Sequence, residues 1–221
     1  MKIVYYTAMQ GRHDTVRMCL DYNMAVRDNL KEHGIELSFI YGYSRQRDEK
    51  FLKDWDVHTY FAKNNPLHAK FNGGMDLLES MDYDCVLMMG SDDIADVDYY
   101  LSIQKYYQDY DHIALKDIYF HDRLNKRSYY WPGYNNHRKG EPAGAGKVYT
   151  RQVMDRIKHD LFRPSIDRGL DYGCWTLMQK HNAKIKLLSV KKYGMVVDIK
   201  DSESLTKLRR FSNLEKTNLP I

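Results

Sequence analysis

The fold class of this chain is decided by the ten residues Val86-Leu87-Met88-Met89-Gly90-Ser91-Asp92-Asp93-Ile94-Ala95. They begin with a short, uniformly apolar run, which is typical of a strand buried on both faces of a parallel sheet covered by helices. Gly90 ends the run, and the carboxylates of Asp92 and Asp93 follow directly. Because ligands of open α/β sheets bind at the carboxyl ends of the strands, both side chains are predicted to border a ligand crevice.

The adjacent carboxylates of Asp92 and Asp93 indicate a metal site. Two ionised carboxylates repel each other, and the end of an apolar strand solvates them poorly. A hard divalent cation relieves both problems, so Mg²⁺ or Mn²⁺ is the predicted cofactor, with positions left open for substrate phosphates. The structural alternative is an acidic turn that caps the next helix, and for the dipeptide alone this is the more frequent case.

Composition predicts one soluble globular domain. The chain has 221 residues, of which 43% are hydrophobic and 29% charged, and it contains no apolar run of the ~20 residues that cross a bilayer. Cys19, Cys85 and Cys174 lie far apart among apolar neighbours. They are predicted to be reduced, buried thiols of a cytoplasmic protein.

Positive charge is concentrated in two parts of the chain. Residues 184–221 hold nine Lys and Arg against four Asp and Glu, whereas the whole chain has a net charge of +4. The stretch from Arg123 to Lys139 mixes basic residues with Tyr129, Tyr130, Trp131 and Tyr134. Such a mixture binds nucleic acid through phosphates and base stacking, although a solvated loop with an aromatic anchor is the more common alternative.

Strands and helices alternate in the first half, which predicts a parallel sheet covered by helices. Strands are predicted at Ile3–Tyr6, Ile35–Tyr41, Val57–Ala62 and Val86–Met89. Helices are predicted from Asp14, as the cap, to about Glu32, and from Pro66 onwards with a core face of Leu67, Phe71, Met75 and Leu78.

The second half is less regular. Strands are predicted at His112–Phe120, Arg127–Trp131, Lys147–Thr150, Ile185–Val190 and Met195–Ile199. Helices are predicted to begin at Arg151 and at Asp171, and residues 201–221 are predicted to form a polar tail. We find no internal repeat and no domain boundary, so residues 1–221 are predicted to form a single domain.

Four short segments occur in an order that resembles the GT-A glycosyltransferases, in particular family 2. They are the polar loop Thr7 to Arg12, Lys70-Phe71-Asn72-Gly73-Gly74, Gly90-Ser91-Asp92-Asp93 and Gly169-Leu170-Asp171. The second resembles the family's Ala-Arg-Asn-x-Gly segment, the third its Asp-x-Asp motif, and the fourth its Glu-Asp motif. Gly144-Ala145-Gly146-Lys147 resembles the connection on the acceptor side.

The chain departs from the family pattern at three positions. Ser91 replaces the first Asp of the metal motif, Leu170 replaces the Glu of the later motif, and Phe71 stands in the Arg position with Lys70 beside it. Many family members have a further metal-binding histidine, which none of His121, His137, His159 and His181 matches.

The resemblance implies a GT-A (Rossmann-like) α/β fold with a mixed, mainly parallel central sheet flanked by helices. Residues 1–96 would bind a nucleotide-sugar, residues 97–200 an acceptor, and residues 201–221 would form the tail. The implied activity is metal-dependent, inverting transfer of a hexose or pentose from a nucleoside-diphosphate sugar, expected to be a UDP-sugar, to an acceptor hydroxyl.

The resemblance also implies roles for individual residues. Asp171 would be the general base, and Asp93 with Asp92 would hold Mn²⁺ or Mg²⁺. The donor would contact Thr7, Ala8, Arg12, Lys70, Asn72, Ser91, Asp92 and Lys200. The acceptor would contact Tyr130, Trp131, Tyr134, Gly146 and Trp175.

Several of these residues have an ordinary structural alternative. Asp171 suits a helix N-cap, Lys70 a surface position along its helix, and Arg12 a surface loop. Asn72 suits a polar helix start, and Trp175 the core.

The acceptor is predicted from a narrower likeness. Small GT-A proteins encoded by bacteriophages resemble this chain in length and in the Gly90-Ser91-Asp92-Asp93 motif. Their acceptors include hydroxymethylated pyrimidines in phage DNA. The predicted acceptor is 5-hydroxymethylcytosine in DNA, or its glycosylated form, inside a bacterial host cell. A cell-surface glycan or lipid-linked saccharide, a nucleotidyltransferase, and a non-catalytic nucleic-acid-binding module are the alternatives.

Overall fold

The structure, a computed structural model, describes residues 1–162, 169–204 and 206–220. Its strands there are β1 (Lys2–Ala8), β2 (Glu36–Tyr43), β3 (His58–Phe61), β4 (Cys85–Met88), β5 (Asp93–Ala95), β6 (His112–Leu115), β7 (Ile118–Asp122), β8 (Arg127–Trp131), β9 (Lys147–Thr150), β10 (Ile185–Leu188), β11 (Val196–Lys200) and β12 (Glu215–Thr217). Its α-helices are α1 (His13–Leu30), α2 (Gln46–Leu52), α3 (Leu67–Asn72), α4 (Met75–Ser80), α5 (Val97–Tyr106), α6 (Arg151–Arg156), α7 (Leu170–Lys180) and α8 (Val190–Tyr193).

The central sheet has seven strands in the order β10-β6-β9-β4-β1-β2-β3. All neighbouring pairs are parallel except those that β9 makes with β4 and β6. Buried apolar side chains on its two faces pack against the helices in separate clusters. The predicted fold class is confirmed: a single α/β domain with a mostly parallel central sheet flanked by helices.

A second sheet of five strands has the order β12-β8-β7-β11-β5. The sequence predicted one strand at His112–Phe120, but the structure divides this segment into β6 and β7, which belong to different sheets. The turn between them is held by the buried Asp117, whose carboxylate accepts hydrogen bonds from the Tyr130 hydroxyl, the Ser189 hydroxyl and the Val190 amide. Val190 begins α8, so β10 ends at Leu188 and not at the predicted Val190.

Two helix predictions differ from the structure, and helices α2, α5 and α8 were not predicted. Arg12, with a φ of 57°, rather than Asp14 occupies the N-cap position of α1. The helix predicted from Pro66 is interrupted at Gly73 and Gly74. The Tyr60 ring packs so close to this break that a Cβ at Gly74 would lie 2.4 Å from its Cε1, so the position requires glycine. Helix α5, which the sequence did not predict, is capped by the Asp96 carboxylate, which accepts a hydrogen bond from the Tyr99 amide.

The segment predicted as a polar tail contributes to the second sheet. Strand β12 pairs with β8 in an antiparallel register that places Glu215 opposite Tyr130. The Phe211 ring packs 4.3 Å from the ring of Phe120 and 5.2 Å from that of Trp131, measured between ring centroids. Apolar residues between the charges therefore anchor this segment, which charge content alone did not predict.

Cys19, Cys85 and Cys174 are all buried and unpaired. Within residues 1–162, 169–204 and 206–220, no helix has both the length and the apolar character needed to span a membrane.

Candidate functional site

Three carboxylates meet where the two sheets join. Asp92 and Asp93 follow β4, and Asp198 lies on β11, opposite Asp93 in the antiparallel β5–β11 pair. One oxygen from each lies within 4.8 Å of the others. Asp198 was missed by the sequence reasoning, although Asp198 and Lys200 interrupt an apolar strand with the period of two that places both on one face.

Burial makes this acidic cluster unfavourable without a cation. Burial raises the pKa of Asp93 well above its usual range, and the charges of Asp198 and Asp92 raise it further. Burial likewise raises the pKa of Asp198 to about 6. Oδ1 of Asp198 is buried without a hydrogen-bond partner. Three clustered carboxylates with an unpartnered oxygen suit a hard divalent cation.

Two cations border the acidic cluster, and both were predicted to contact the nucleotide-sugar donor. Arg12 contacts Asp92 through Nη1 at 2.8 Å and Asp201 through Nη2 at 2.9 Å. The ammonium of Lys200 lies 2.5 Å from Oδ2 of Asp198. Burial alone would lower the pKa of Lys200, but the nearby carboxylates, first that of Asp198, raise it above its usual value. The structure thus brings Arg12, Asp92 and Lys200 together.

The end of β1 lies beside the acidic cluster, because Tyr6 of β1 pairs with Met88 of β4. Thr7 is buried and its hydroxyl has no hydrogen-bond partner, whereas Ala8 is half-buried at the strand end. Lys70 reaches the same loop, where Nζ donates to the carbonyl of Met9 at 2.8 Å. Burial lowers the pKa of Lys70 to about 8. The surface-lysine alternative is therefore wrong.

Asn72 and Ser91 have different surroundings. The Asn72 amide donates to the carbonyl of Phe162 at 2.6 Å, so its nitrogen joins the end of α3 to the segment after α6. Oδ1 of Asn72 is buried and unpartnered. Ser91 is half-buried in the turn between β4 and β5. For both residues, contact with the nucleotide-sugar donor stays a prediction.

Asp171 lies near the same edge of the central sheet, beside β9. Its carboxylate forms an ion pair with Lys147, whose side chain is 4% exposed, against 49% for that of Asp171. Lys147 lies opposite Met88 in the β4–β9 pair, so the ion pair borders the strand that leads to the acidic cluster. The N-cap position of α7 is Gly169, which excludes the simple N-cap role for Asp171.

Two of the aromatic residues predicted to contact the acceptor, Tyr134 and Trp175, lie near Asp171. The charge of Asp171 contributes, after burial, to raising the pKa of Tyr134. The Arg138 guanidinium lies 3.9 Å from the centroid of the Tyr134 ring. Trp175 is half-buried one turn after Asp171 on α7. A Cβ at Gly144 would lie 3.2 Å from Oδ2 of Asp171, so this glycine leaves the carboxylate accessible.

The predicted acceptor contacts of Tyr130, Trp131 and Gly146 conflict with their surroundings. Trp131 is 3% exposed and its ring belongs to the core, so it offers no free face for stacking. The Tyr130 ring is 9% exposed and its hydroxyl bonds to Asp117. Gly146 has a φ of +69°, and its carbonyl accepts a hydrogen bond from Tyr99 at 2.6 Å. These residues hold the second sheet and β9 in place.

The basic aromatic stretch from Arg123 to Lys139 does not form one surface. Arg123 and Arg127 lie at the turn of the β7–β8 hairpin. Arg138 lies elsewhere, in an ion pair with Glu141 at 2.7 Å. The side chains that were expected to contact nucleic acid together are therefore divided between two places.

Comparison with known proteins identifies the fold. No family model and no curated protein sequence matches this chain. The solved structure of S. aureus TarS 1–349 shares 15% identity with it at a TM-score of 0.58, covering 90% of this chain and 60% of that one. TarS 1–349 in complex with UDP-GlcNAc gives 15% identity and a TM-score of 0.59, covering 92% and 60%. This chain thus spans about 60% of the TarS 1–349 structure.

A second kind of protein shares the fold at lower similarity. CMP:2-keto-3-deoxy-manno-octonic acid synthetase, complexed with CTP, matches at 6% identity and a TM-score of 0.51, covering 86% of this chain and 89% of that one. TarS is a glycosyltransferase of the GT-A type. At these identities the likeness shows a shared fold and does not show a shared activity.

Proposed function

We propose that this protein is a metal-dependent glycosyltransferase that moves a sugar from a nucleoside-diphosphate sugar, a UDP-sugar, to an acceptor hydroxyl with inversion. One observation carries the proposal: Asp92, Asp93 and Asp198 meet at the carboxyl edge of the central sheet. TarS, which shares this fold, has been solved with UDP-GlcNAc. Clustered carboxylates at this edge are suited to a metal-bound diphosphate.

The metal would be held by Asp93, Asp92 and Asp198, whose oxygen donors suit Mn²⁺ or Mg²⁺. When bound, it supplies Lewis-acid stabilisation of the negative charge on the leaving diphosphate. Lys200 pairs with one oxygen of Asp198 and leaves the other for a ligand. Arg12 orients Asp92 in the same way.

Lys70 and Arg12 provide positive charge for the donor diphosphate. Lys70 is anchored at the β1 loop by the Met9 carbonyl, and Arg12 stands at the end of the same loop. Cations fixed before the reaction stabilise charge that develops on the leaving group without reorganising. The unpartnered hydroxyl of Thr7 supplies a buried polar contact beside them.

Asp171 is the proposed general base. Its carboxylate is half exposed, so an acceptor hydroxyl can reach it, and Lys147 holds it in one orientation. As the acceptor oxygen forms its bond to the anomeric carbon, its proton passes to Asp171, and the electrons of the breaking carbon–oxygen bond go to the diphosphate. Because base and leaving group act on opposite faces, the anomeric configuration inverts.

For the acceptor, we propose 5-hydroxymethylcytosine in DNA or its glycosylated form, with a cell-surface or lipid-linked saccharide as the alternative. The positive charge of residues 184–221 favours a polyanion. Burial of Trp131 and Tyr130 removes two expected stacking partners, so Tyr134 is the aromatic side chain assigned to pack against an extruded base.

The test is an incubation with a panel of UDP-sugars and Mn²⁺, offered with hydroxymethylated DNA, unmodified DNA and saccharide acceptors. Mass measurement of digested nucleosides and of saccharides identifies the product. Sugar on hydroxymethylcytosine supports the whole proposal, and sugar on a saccharide alone supports the transferase with the alternative acceptor. No transfer to any acceptor, with UDP affinity that is unchanged in Asp93→Asn, contradicts the proposal.

Nucleotidyl transfer is the second candidate, because the CTP-bound synthetase shares the fold. The same carboxylates would then serve attack on phosphorus. Incubation with nucleoside triphosphates distinguishes the two reactions, because nucleotidyl transfer releases pyrophosphate and glycosyl transfer releases a nucleoside diphosphate.

A further inference from the structure

A cavity of about 590 Å³ lies between α1, the β7–β8 hairpin and the end of β12. We call it the hairpin cavity. Its apolar wall is formed by Met18, Tyr22, Ile94, Ile199 and Leu219. The volume falls within the range of about 300–1,000 Å³ that is usual for small-molecule sites.

The hairpin cavity is separated from the acidic cluster by the second sheet. Successive side chains of a strand point to opposite faces. On β11, Asp198 and Lys200 face the acidic cluster, whereas Ile199 lines the hairpin cavity. On β5, Asp93 and Ile94 divide in the same way. The cavity is therefore a place that the proposed sugar transfer does not use.

The polar side of the hairpin cavity is strongly cationic. Arg123, Lys126 and Arg127 come from the hairpin and Lys216 from β12. Among the described residues that line the cavity, none is acidic. Among the residues that the structure describes, Lys126, Arg127 and Lys216 have no carboxylate within ion-pair distance. Many other surface cations are paired. These charges are held together without an internal partner, although they repel one another.

We propose that the hairpin cavity binds a small amphipathic anion, with its apolar body against Ile94, Ile199 and Leu219 and its phosphate or carboxylate head among the four cations. Burial of the apolar body contributes the hydrophobic part of the affinity. Arginine forks bind phosphate or carboxylate oxygens in pairs, which selects an anionic head over a neutral one. This combination recognises neither a neutral lipid nor a simple inorganic anion.

The proposal is tested with decyl phosphate, decanoate and decanol, each kept below the concentration at which it forms micelles. Calorimetric titration of the full chain is expected to show one saturable site for both anions, with decanol bound at least tenfold more weakly. Inorganic phosphate alone is expected to bind at least tenfold more weakly than decyl phosphate. Whether phosphate or carboxylate binds more tightly identifies the head group.

Two charge-reversed variants locate the site. In Arg127→Glu with Lys216→Glu, decyl phosphate affinity is expected to fall at least tenfold. The matched control is Lys184→Glu with Lys186→Glu, which makes the same charge change around Tyr110, away from the hairpin cavity, and is expected to leave affinity within twofold. UDP binding in both variants reports that the chain is folded. Leu219→Asp tests the apolar wall and is expected to weaken all three ligands.

Three results would overturn the proposal. One is equal affinity for decanol and decyl phosphate, which removes the role of the cations. Another is an equal loss of affinity in the Lys184–Lys186 control, which places the binding elsewhere. The third is sedimentation showing that the chain self-associates and that decyl phosphate does not dissociate the assembly, since a second copy would then cover the cavity.

Discussion

With Lys70 at the donor diphosphate, as proposed, UDP binding is expected to depend on pH in a direction that the surroundings of Lys70 determine. Burial holds its pKa at about 8 in the free protein, below the usual 10.5. A diphosphate beside it stabilises the charged form, so the pKa of Lys70 rises when the donor binds. UDP affinity is therefore expected to be constant below pH 8 and to fall as pH rises above 8, by up to tenfold per pH unit.

The largest possible effect follows from the same values. If the bound diphosphate restores the pKa from about 8 to 10.5, the difference of 2.5 units corresponds to ~3.4 kcal/mol, or roughly 300-fold in affinity. Partial restoration gives a proportionally smaller loss. The assay is calorimetric titration with UDP and Mg²⁺ from pH 7.0 to 9.5, where the terminal phosphate of UDP, with a pKa of about 6, is already ionised.

Two variants separate Lys70 from other titrating groups. Lys70→Arg keeps a charge that does not titrate in this range, so its UDP affinity is expected to stay flat. Lys70→Met has no charge and is expected to bind weakly at every pH, as the unsubstituted protein does at high pH. A decline above pH 8 that persists in Lys70→Met, or no decline in the unsubstituted protein, would refute the placement of Lys70 at the diphosphate.

Four further outcomes are expected. Asp198→Asn lowers Mn²⁺-dependent UDP affinity at least ~10-fold, as loss of a metal ligand does; unchanged calorimetric affinity would exclude Asp198 as a ligand. Asp171→Asn binds UDP normally but reduces kcat at least ~100-fold in the sugar-transfer assay, and near-normal turnover would place the base elsewhere. Gly74→Ala costs about 1–3 kcal/mol in urea unfolding because its Cβ would meet Tyr60 at 2.4 Å, whereas Gly173→Ala, with nothing within 4 Å, is neutral or stabilising. Burial lowers the pKa of His112 to about 4. As pH falls from 6.5 to 4, the unfolded chain binds a proton that the folded chain does not, so the free energy of unfolding falls by up to ~3 kcal/mol. The His112→Phe variant, which keeps the stacking on Tyr149, is expected to lose this part of the pH dependence.

The sequence by itself determined the features that depend on local patterns. The apolar run before Gly90 predicted β4, and the strands Arg127–Trp131 and Lys147–Thr150 were predicted with the bounds that the structure shows. Apolar periodicity reports burial on one or two faces of a single element, and it needs no knowledge of the partner strand. For the same reason Asp92 and Asp93 were expected at a strand end.

The tertiary structure decided what depends on register between distant segments. Asp198 joins Asp93 because β5 and β11 pair across about half the chain, and no local pattern encodes that pairing. Lys147 meets Asp171, and Trp131 is enclosed by Phe120 and Phe211, through similar long-range packing. Side chains of the same type are exposed or buried according to which segments fold over them. The position of Asp198 in the acidic cluster and the burial of Tyr130 and Trp131 therefore followed only from the assembled sheets.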